Sequence, residues 1–306
     1  MINRILIRIK TIQILYSFYQ GGNSNPSTAQ KELLFSLEKS YELYNALLHL
    51  IVELTTFARR RLEYGRIKLM PTTDELTPNT RFIDNKFADL MAKNKALITY
   101  VDGKCISWDE NFLKNMLGKI ISSDIYKEYM ESEDFSFKND QEFWRKICKN
   151  IIFADDDLTA LLEEKSIYWN DDLEIVSTFV LKTIKRMTVE KGPEQELLPM
   201  FRDDEDKDYA CKLLRDVITN EKEYREMINV SIKNWDIERI AFMDIVIMDV
   251  AIAELINFPS IPVNVTFNEF LEIAKDYSTE KSSTFINGVL DNIVTKLKTE
   301  NRLLKN

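Results

Sequence analysis

Two groups of residues in this chain set basic side chains beside aromatic rings. In the first, Arg4 and Arg8 stand one helical turn apart, with Lys10, Gln13 and Tyr16 beyond them. In the second, Tyr277, Lys281 and Phe285 fall together, and the spacing of four puts Lys281 and Phe285 on one helix face. Ser282 and Ser283 sit where that helix is predicted to begin, and free backbone N–H groups at such a start suit a phosphate. The chemistry is that of nucleic-acid binding: Lys and Arg hold phosphates, while unstacked bases find aromatic faces worth roughly 1–3 kcal/mol each. Taken alone, three positive charges on a terminal helix fit a solvated face before they fit a ligand.

Other chemistries find little support. His49 is the single histidine and sits in "NALLHLIVEL" on a predicted long helix, which suits a structural role. Triad catalysis on Ser or Cys would have to use it, and no nucleophile elbow accompanies it. There is no GxxxxGK[ST] and no GxGxxG, so no glycine loop cradles a phosphate. Cys105, Cys148 and Cys211 form no CxxC pair, which predicts buried or part-buried free thiols with neither disulfides nor a metal cluster. The expectation is a protein that is not an enzyme, with no catalytic residues, cofactor or metal. Arg8 and Lys10 interrupt any signal-peptide core, and Asp244, Asp249 and Glu254 break the most apolar run, "IAFMDIVIMDVAIAELI". Neither secretion nor membrane insertion is predicted, so the expected location is cytoplasmic.

The elements that position these residues are read as helices throughout. Only seven Gly and seven Pro occur in 306 residues, too few for the turns of sandwiches or nucleotide-binding α/β folds. The opening "RILIRIKTIQILYSFYQ" alternates locally like a strand, but helical spacing explains more of it. It puts Ile5, Ile9, Ile12, Tyr16 and Tyr19 on an apolar side and Arg4, Arg8 and Thr11 on another. Ser27 and Gln30 suggest a capping box for a long helix striped by Leu37, Tyr41, Tyr44, Leu48 and Ile51 and stopping near Gly65. Shorter patterns fill about 81–187, including "FADLMAKNKAL" and "SWDENFLKNMLGKII" with a Ser107/Glu110 box. The charged "EKGPEQELLPMFRDDEDKD" reads as a linker, its "DDEDKD" as a solvated face. Long patterns resume after it. In the helix "WDIERIAFMDIVIMDVAIAELINF", Asp244 interrupts the stripe Ile237, Ala241, Met248, Ala251, Leu255 and must find a donor or face a partner. Trp235 reads as core, Thr266 and Glu269 as a cap, and Gly288 inside "INGVLD" as a place where another helix comes close.

The blocks "WDIERIAFMDIVIMDVAIAEL", "FPSIPVNVTFNEFLEIAK" and "FINGVLD", preceded by "YACKLLRDVITN", resemble the transcription antitermination factor NusB family. The opening helix, ending in "QILY", is similar to that family's arginine-rich first helix. Together the blocks span about two-fifths of the chain in the family's order. The resemblance implies an all-α NusB-like helical bundle that binds single-stranded boxA RNA together with the ribosomal protein NusE. It places the protein with the transcription elongation complex and implies a role in ribosomal RNA operons, with self-association as a homodimer left open for the free protein. On this basis the RNA-binding residues are Arg4, Arg8, Lys10, Gln13, Tyr16, Tyr277, Lys281, Ser282 and Phe285. Asp244 and Tyr16 mark the partner-protein surface. Ile5 and Leu6 stand where the family commonly has basic residues, and Lys281 where it is often acidic.

The implied organisation is a first helix over 1–22 packing with the C-terminal core, a helical insertion over 23–200, and a NusB-like core over 201–306. Within the insertion, "ARRRLEYGRIK" offers Arg59, Arg60, Arg61, Arg66 and Lys68 either as an extra RNA contact or as a charged helix exit. The alternative reading is a helical protein–protein interaction module with little RNA affinity. An RNA cytosine methyltransferase carrying a NusB-like domain would need a glycine-bearing cofactor loop, and the glycine-poor middle provides none.

Overall fold

The computed structural model describes residues 1–22, 25–67, 69, 70, 72, 76–232 and 240–303. Among the described residues 13 helices and no strands occur, so the fold is all-α. The helices are α1 (Arg4–Gln20), α2 (Pro26–Ile67), α3 (Lys86–Ala92), α4 (Lys95–Lys104), α5 (Glu110–Ser122), α6 (Asp124–Glu131) and α7 (Phe137–Ile147). They continue as α8 (Asp156–Lys165), α9 (Asp172–Arg186), α10 (Asp204–Ser231), α11 (Phe242–Asn257), α12 (Val263–Tyr277) and α13 (Ser282–Thr299). Among the described residues, no helix is long and apolar enough to cross a membrane.

Small polar side chains set many of the starts, because each satisfies a backbone N–H left orphaned in the first turn. Asn3 Oδ1 accepts from Leu6 N at 2.9 Å, Asn85 Oδ1 from Ala88 N at 2.9 Å, and Asn94 Oδ1 from Leu97 N at 3.0 Å. Asn94 thereby divides "FADLMAKNKAL" into two helices. The cap of α5 is Asp109, accepting from Asn111 and Phe112, and not Ser107. The cap of α2 lies two residues before Ser27, at Asn25, whose Oδ1 accepts from Ser27 N at 3.0 Å. Trp235, Ile237 and Lys68 lie outside the described residues.

Packing divides the chain into two compact units: Met1 with Glu38–Met200, and Ile2–Leu37 with Phe201–Asn306. The dividing point falls inside α2. In the first unit, residues 38–67 of α2 form a spine that other segments reach with polar anchors. The indoles of Trp108 and Trp169 donate to the carbonyls of Ala46 (3.2 Å) and Lys39 (2.8 Å). Ser40 donates to Asp172 at 2.6 Å, and the Tyr44 and Thr183 hydroxyls meet at 2.6 Å. Arg81 donates to the carbonyls of Ser132 and Asp134 and lies over the rings of Tyr129 and Phe135. Of the 190–208 segment read as a linker, the part up to Met200 belongs to this unit and buries Gln195, Leu197 and Leu198, while its end from Asp204 opens α10. Cys105, expected at least part-buried, is exposed at the left-handed C-cap of α4, while Cys148 is buried.

In the second unit α1 packs on α10 and α11, α11 on α12, and α13 on α10, α11 and α12. Every residue of α11 from Asp244 to Leu255 is buried, as befits a helix that is apolar nearly all round. The first helix is buried almost as fully, with only Ile5, Tyr16, Ser17 and Gln20 exposed. The row Arg4–Arg8–Thr11, read as the outer side, turns inward, and Ile5 and Tyr16 of the expected apolar side face out. Gly288 also differs from expectation: a Cβ built there meets nothing within 4 Å, so no helix among the described residues exploits its small size. Gly288→Ala should therefore raise the unfolding free energy by roughly 0.5–1 kcal/mol in a denaturant titration, from reduced helix entropy cost alone. A loss of stability would reveal a packing contact at that position.

Candidate nucleic-acid interface

Arg8 is 3% exposed. Its Nε donates to Glu254 Oε2 at 2.8 Å, its Nη2 to Glu254 Oε1 at 3.0 Å, and its Nη1 to Glu269 Oε2 at 3.3 Å. Glu254 is wholly buried and also accepts from the Tyr209 hydroxyl and from Thr266 Oγ1 (2.8 Å). One carboxylate thus joins α1, α10, α11 and α12. Burial lowers the Arg8 pKa, but Tyr209, the Glu254 hydrogen bonds and charge, and Glu269 together carry it above its ordinary value. Burial, reinforced by Glu254, pushes the Tyr209 hydroxyl well up. Arg4 lies over the Tyr209 ring at 5.1 Å, with its Nε 3.5 Å from Asp206. Asp206, from the supposedly solvated "DDEDKD", is itself buried.

These contacts correct four of the expected site residues. Arg8 cannot meet a phosphate, because its guanidinium is spent on two carboxylates inside the fold. Lys10 is 2% exposed and equally withdrawn. Ser282, 2% exposed, donates its hydroxyl to Asp244 Oδ2 at 2.9 Å and is not available to a phosphate. Asp244, 5% exposed, also accepts from Ser278, so this carboxylate ties the turn between α12 and α13 to the start of α11. It found internal donors and presents no face to a partner. Thr266 likewise spends its hydroxyl on Glu254 and does not cap α12.

What remains outside is mostly aromatic. Tyr16 is 36% exposed and packs on Phe242, with ring centroids 5.4 Å apart. Tyr19 meets the same ring edge-on at 6.3 Å. The Arg225 guanidinium lies over Tyr19 at 4.7 Å and over Phe242 at 5.9 Å. Phe242 and Asp244 share the first turn of α11, so this turn links Tyr16 on α1 to the α12–α13 connection, which carries Lys281 between Tyr277 at the end of α12 and Phe285 in the first turn of α13. Lys281 is exposed there, and Tyr277, Phe285 and Gln13 are half-buried. Arg4 stands apart, twelve residues and so about 18 Å along α1 from Tyr16. Tyr19, Phe242 and Arg225 were not singled out from sequence. Tyr19 was legible as the residue one turn beyond Tyr16, whereas Arg225 is brought in only by the fold.

Beneath this patch lies Asp249, wholly buried, with Oδ2 3.4 Å from Arg225 Nε. Burial pushes its carboxyl up to about 7, against the pull of Arg225 and with help from Glu221. Asp249 Oδ1, Arg225 Nη2 and the Tyr19 hydroxyl are buried without hydrogen-bond partners. No cluster of His, Cys, Asp or Glu able to hold a metal occurs among the described residues.

Comparison with known proteins identifies the architecture. A profile described as the NusB family matches residues 175–295. A transcription antitermination protein NusB of Salinibacter ruber is 36% identical over 132 residues, 41% of this chain and 82% of that protein. A protein of the same name from Geotalea daltonii is 36% identical over 133 residues, 44% of this chain and 89% of its own length. One from Listeria monocytogenes is 41% identical over 109 residues, 36% of this chain and 84% of its own length. The chain belongs to the NusB family. In this NusB-family protein the opening helix is basic because Asp206, Glu254 and Glu269 neutralise it from elsewhere in the second unit.

Two outcomes follow from these buried charges. Arg8→Met should cost about 3–5 kcal/mol of stability, because it strands a buried carboxylate, whereas Arg8→Met with Glu254→Met should recover much of that loss. Urea denaturation of the single and double variants checks both. For Asp249 the folded pKa exceeds the unfolded one, so its contribution to stability is greatest at low pH. That contribution falls as pH rises from about 4 to about 7. Asp249→Asn should remove this part of the pH dependence, measured as unfolding free energy across that window.

Proposed function

We propose that this protein is an RNA-binding transcription antitermination factor that holds boxA-type single-stranded RNA together with the ribosomal protein NusE and supports antitermination of ribosomal RNA operons. Family membership carries the reading: relatives named transcription antitermination protein NusB align over 82% and 89% of their own lengths. On the same reading the protein is a cytoplasmic regulator and not an enzyme. On this reading residues 23–200 are a helical insertion, although the family profile already begins at residue 175.

The surface that best fits a strand of RNA is the one around the first turn of α11. Tyr16 offers a ring face to a base, Lys281 a phosphate contact and Gln13 a polar edge, with Tyr277 and Phe285 half-buried on either side of Lys281. Arg4 adds a second cation some distance along α1. Electrostatics then contributes little and stacking most of the affinity. The burial of Arg8 and Lys10 favours one rival, a protein–protein module with little RNA affinity. A groove of about 310 Å³ between α10 and α13, floored by Met227, Val230, Ile293 and Leu297, would serve such a module.

A gel-shift titration with boxA-type RNA, with and without NusE, separates the two. On the proposed reading Tyr16→Ala weakens binding by about 1–3 kcal/mol. Lys281→Gln makes the slope of log K against log[salt] shallower by about 0.7. Absence of binding in both mixtures would leave the protein-only module.

A further inference from the structure

The last turns of α2 carry four arginines, Arg59, Arg60, Arg61 and Arg66, against the single carboxylate of Glu63, in a chain whose net charge is −9. Arg59 is used internally: it donates to the Ile83 carbonyl and lies 3.8 Å from Asp84. Arg60, Arg61 and Arg66 are exposed, and none has a carboxylate within 4 Å among the described residues. Lys93 and Lys127 of this unit are paired, at 2.6 Å from Asp89 and 3.0 Å from Asp124, whereas Lys114, Lys182 and Lys185 are exposed and, among the described residues, unpaired like Arg60 and Arg61; what sets these two arginines apart is the ring beside them. The helix dipole accounts for a cation in the final turn, hence for Arg66. It does not account for Arg60 and Arg61, which precede that turn.

Between these cations stands Tyr64, 70% exposed, an aromatic ring that this unit leaves unburied. Arg60 and Arg61 are four and three residues before it, so both share its patch of surface at about 5–6 Å between Cβ atoms. An open ring flanked by two unneutralised guanidinium groups matches one base and the phosphates on either side of it. We propose that the exposed end of α2 is a second single-stranded RNA contact, in which Tyr64 stacks on a base while Arg60 and Arg61 take the flanking phosphates. This rests on the reading of the chain as an RNA-binding protein and adds a site within residues 38–200. Ile67, Leu69 and Met70 are exposed as well, but they lie at and past the end of α2 and not along the turns that carry Arg60, Arg61 and Tyr64, so a lipid surface is the competing occupant that the vesicle measurement below tests.

The test uses the full chain with two probes, boxA-type RNA and single-stranded poly(U), across a salt series. The doubly substituted protein, Arg60→Gln with Arg61→Gln, should bind both with a slope of log K against log[salt] shallower by about 1.4. Tyr64→Ala should weaken binding at least about fivefold, and Tyr64→Phe should retain it, since stacking needs the ring alone. Lys281→Gln, in the other unit, is measured beside them. If Lys281→Gln weakens binding and the α2 variants do not, the second contact is overturned and the proposed function stands. If the α2 variants alone weaken it, the second contact holds and the surface at α11 is overturned. No RNA binding by the unsubstituted chain overturns both. Arg60-dependent adsorption to phosphatidylserine vesicles, with RNA binding unaffected by the substitutions, overturns the second contact in favour of a lipid.

Discussion

The second unit is organised around one buried carboxylate. Glu254 accepts from Arg8, Tyr209 and Thr266, so helices α1, α10, α11 and α12 meet at a single charged point buried from the surface. Removing two charges from water is costly, and their attraction offsets that cost only when geometry is good and remaining lone pairs are filled. Here the guanidinium is bidentate and a hydroxyl donates to each carboxylate oxygen. The arrangement tolerates one register of α1. A slip by one residue would carry Arg8 around the helix by about 100° and leave both charges stranded.

That junction also explains which parts of the structure were legible from sequence. Scarce glycine and the stripes of Leu37, Tyr44, Leu48 and Ile51 correctly indicated helices, because helix periodicity is a local property. Cap positions were misplaced by a residue or two, at Asn25 for Ser27 and Asp109 for Ser107, because several polar side chains in a row compete for the same orphan N–H groups. The facing of α1 was not legible. Its local pattern offered two plausible sides, and the deciding fact, carboxylates waiting at Asp206, Glu254 and Glu269, lies some two hundred to two hundred and sixty residues further on.

The candidate site divides along the same line. Tyr16 and Lys281 were read from type and spacing, and they remain on the surface. Arg8, Lys10 and Ser282 suggest ligands as polar groups on predicted helices, and Asp244 suggests a partner surface through the family resemblance, yet each is withdrawn from solvent inside the fold. A basic residue looks the same in sequence whether it serves a phosphate or an internal glutamate. Phe242 and Arg225 were missed for the converse reason, since nothing local distinguishes a ring or cation that tertiary packing places beside Tyr16 and Tyr19.

The internal use of arginine changes what RNA binding would require of this protein. Exposed cations near the α11 surface are few, and a chain with a formal net charge of −9 repels a polyanion at distances up to the Debye length, about 8–10 Å at ordinary salt. Stacking acts only at contact and is nearly indifferent to sequence, so it can hold a strand but cannot draw one in. On the proposed reading, attraction must therefore come from elsewhere: from a cationic partner protein, or from the unneutralised arginines of α2. Placing positive charge outside the stacking surface would separate capture from retention, making encounter sensitive to salt and residence dependent on the aromatic rings.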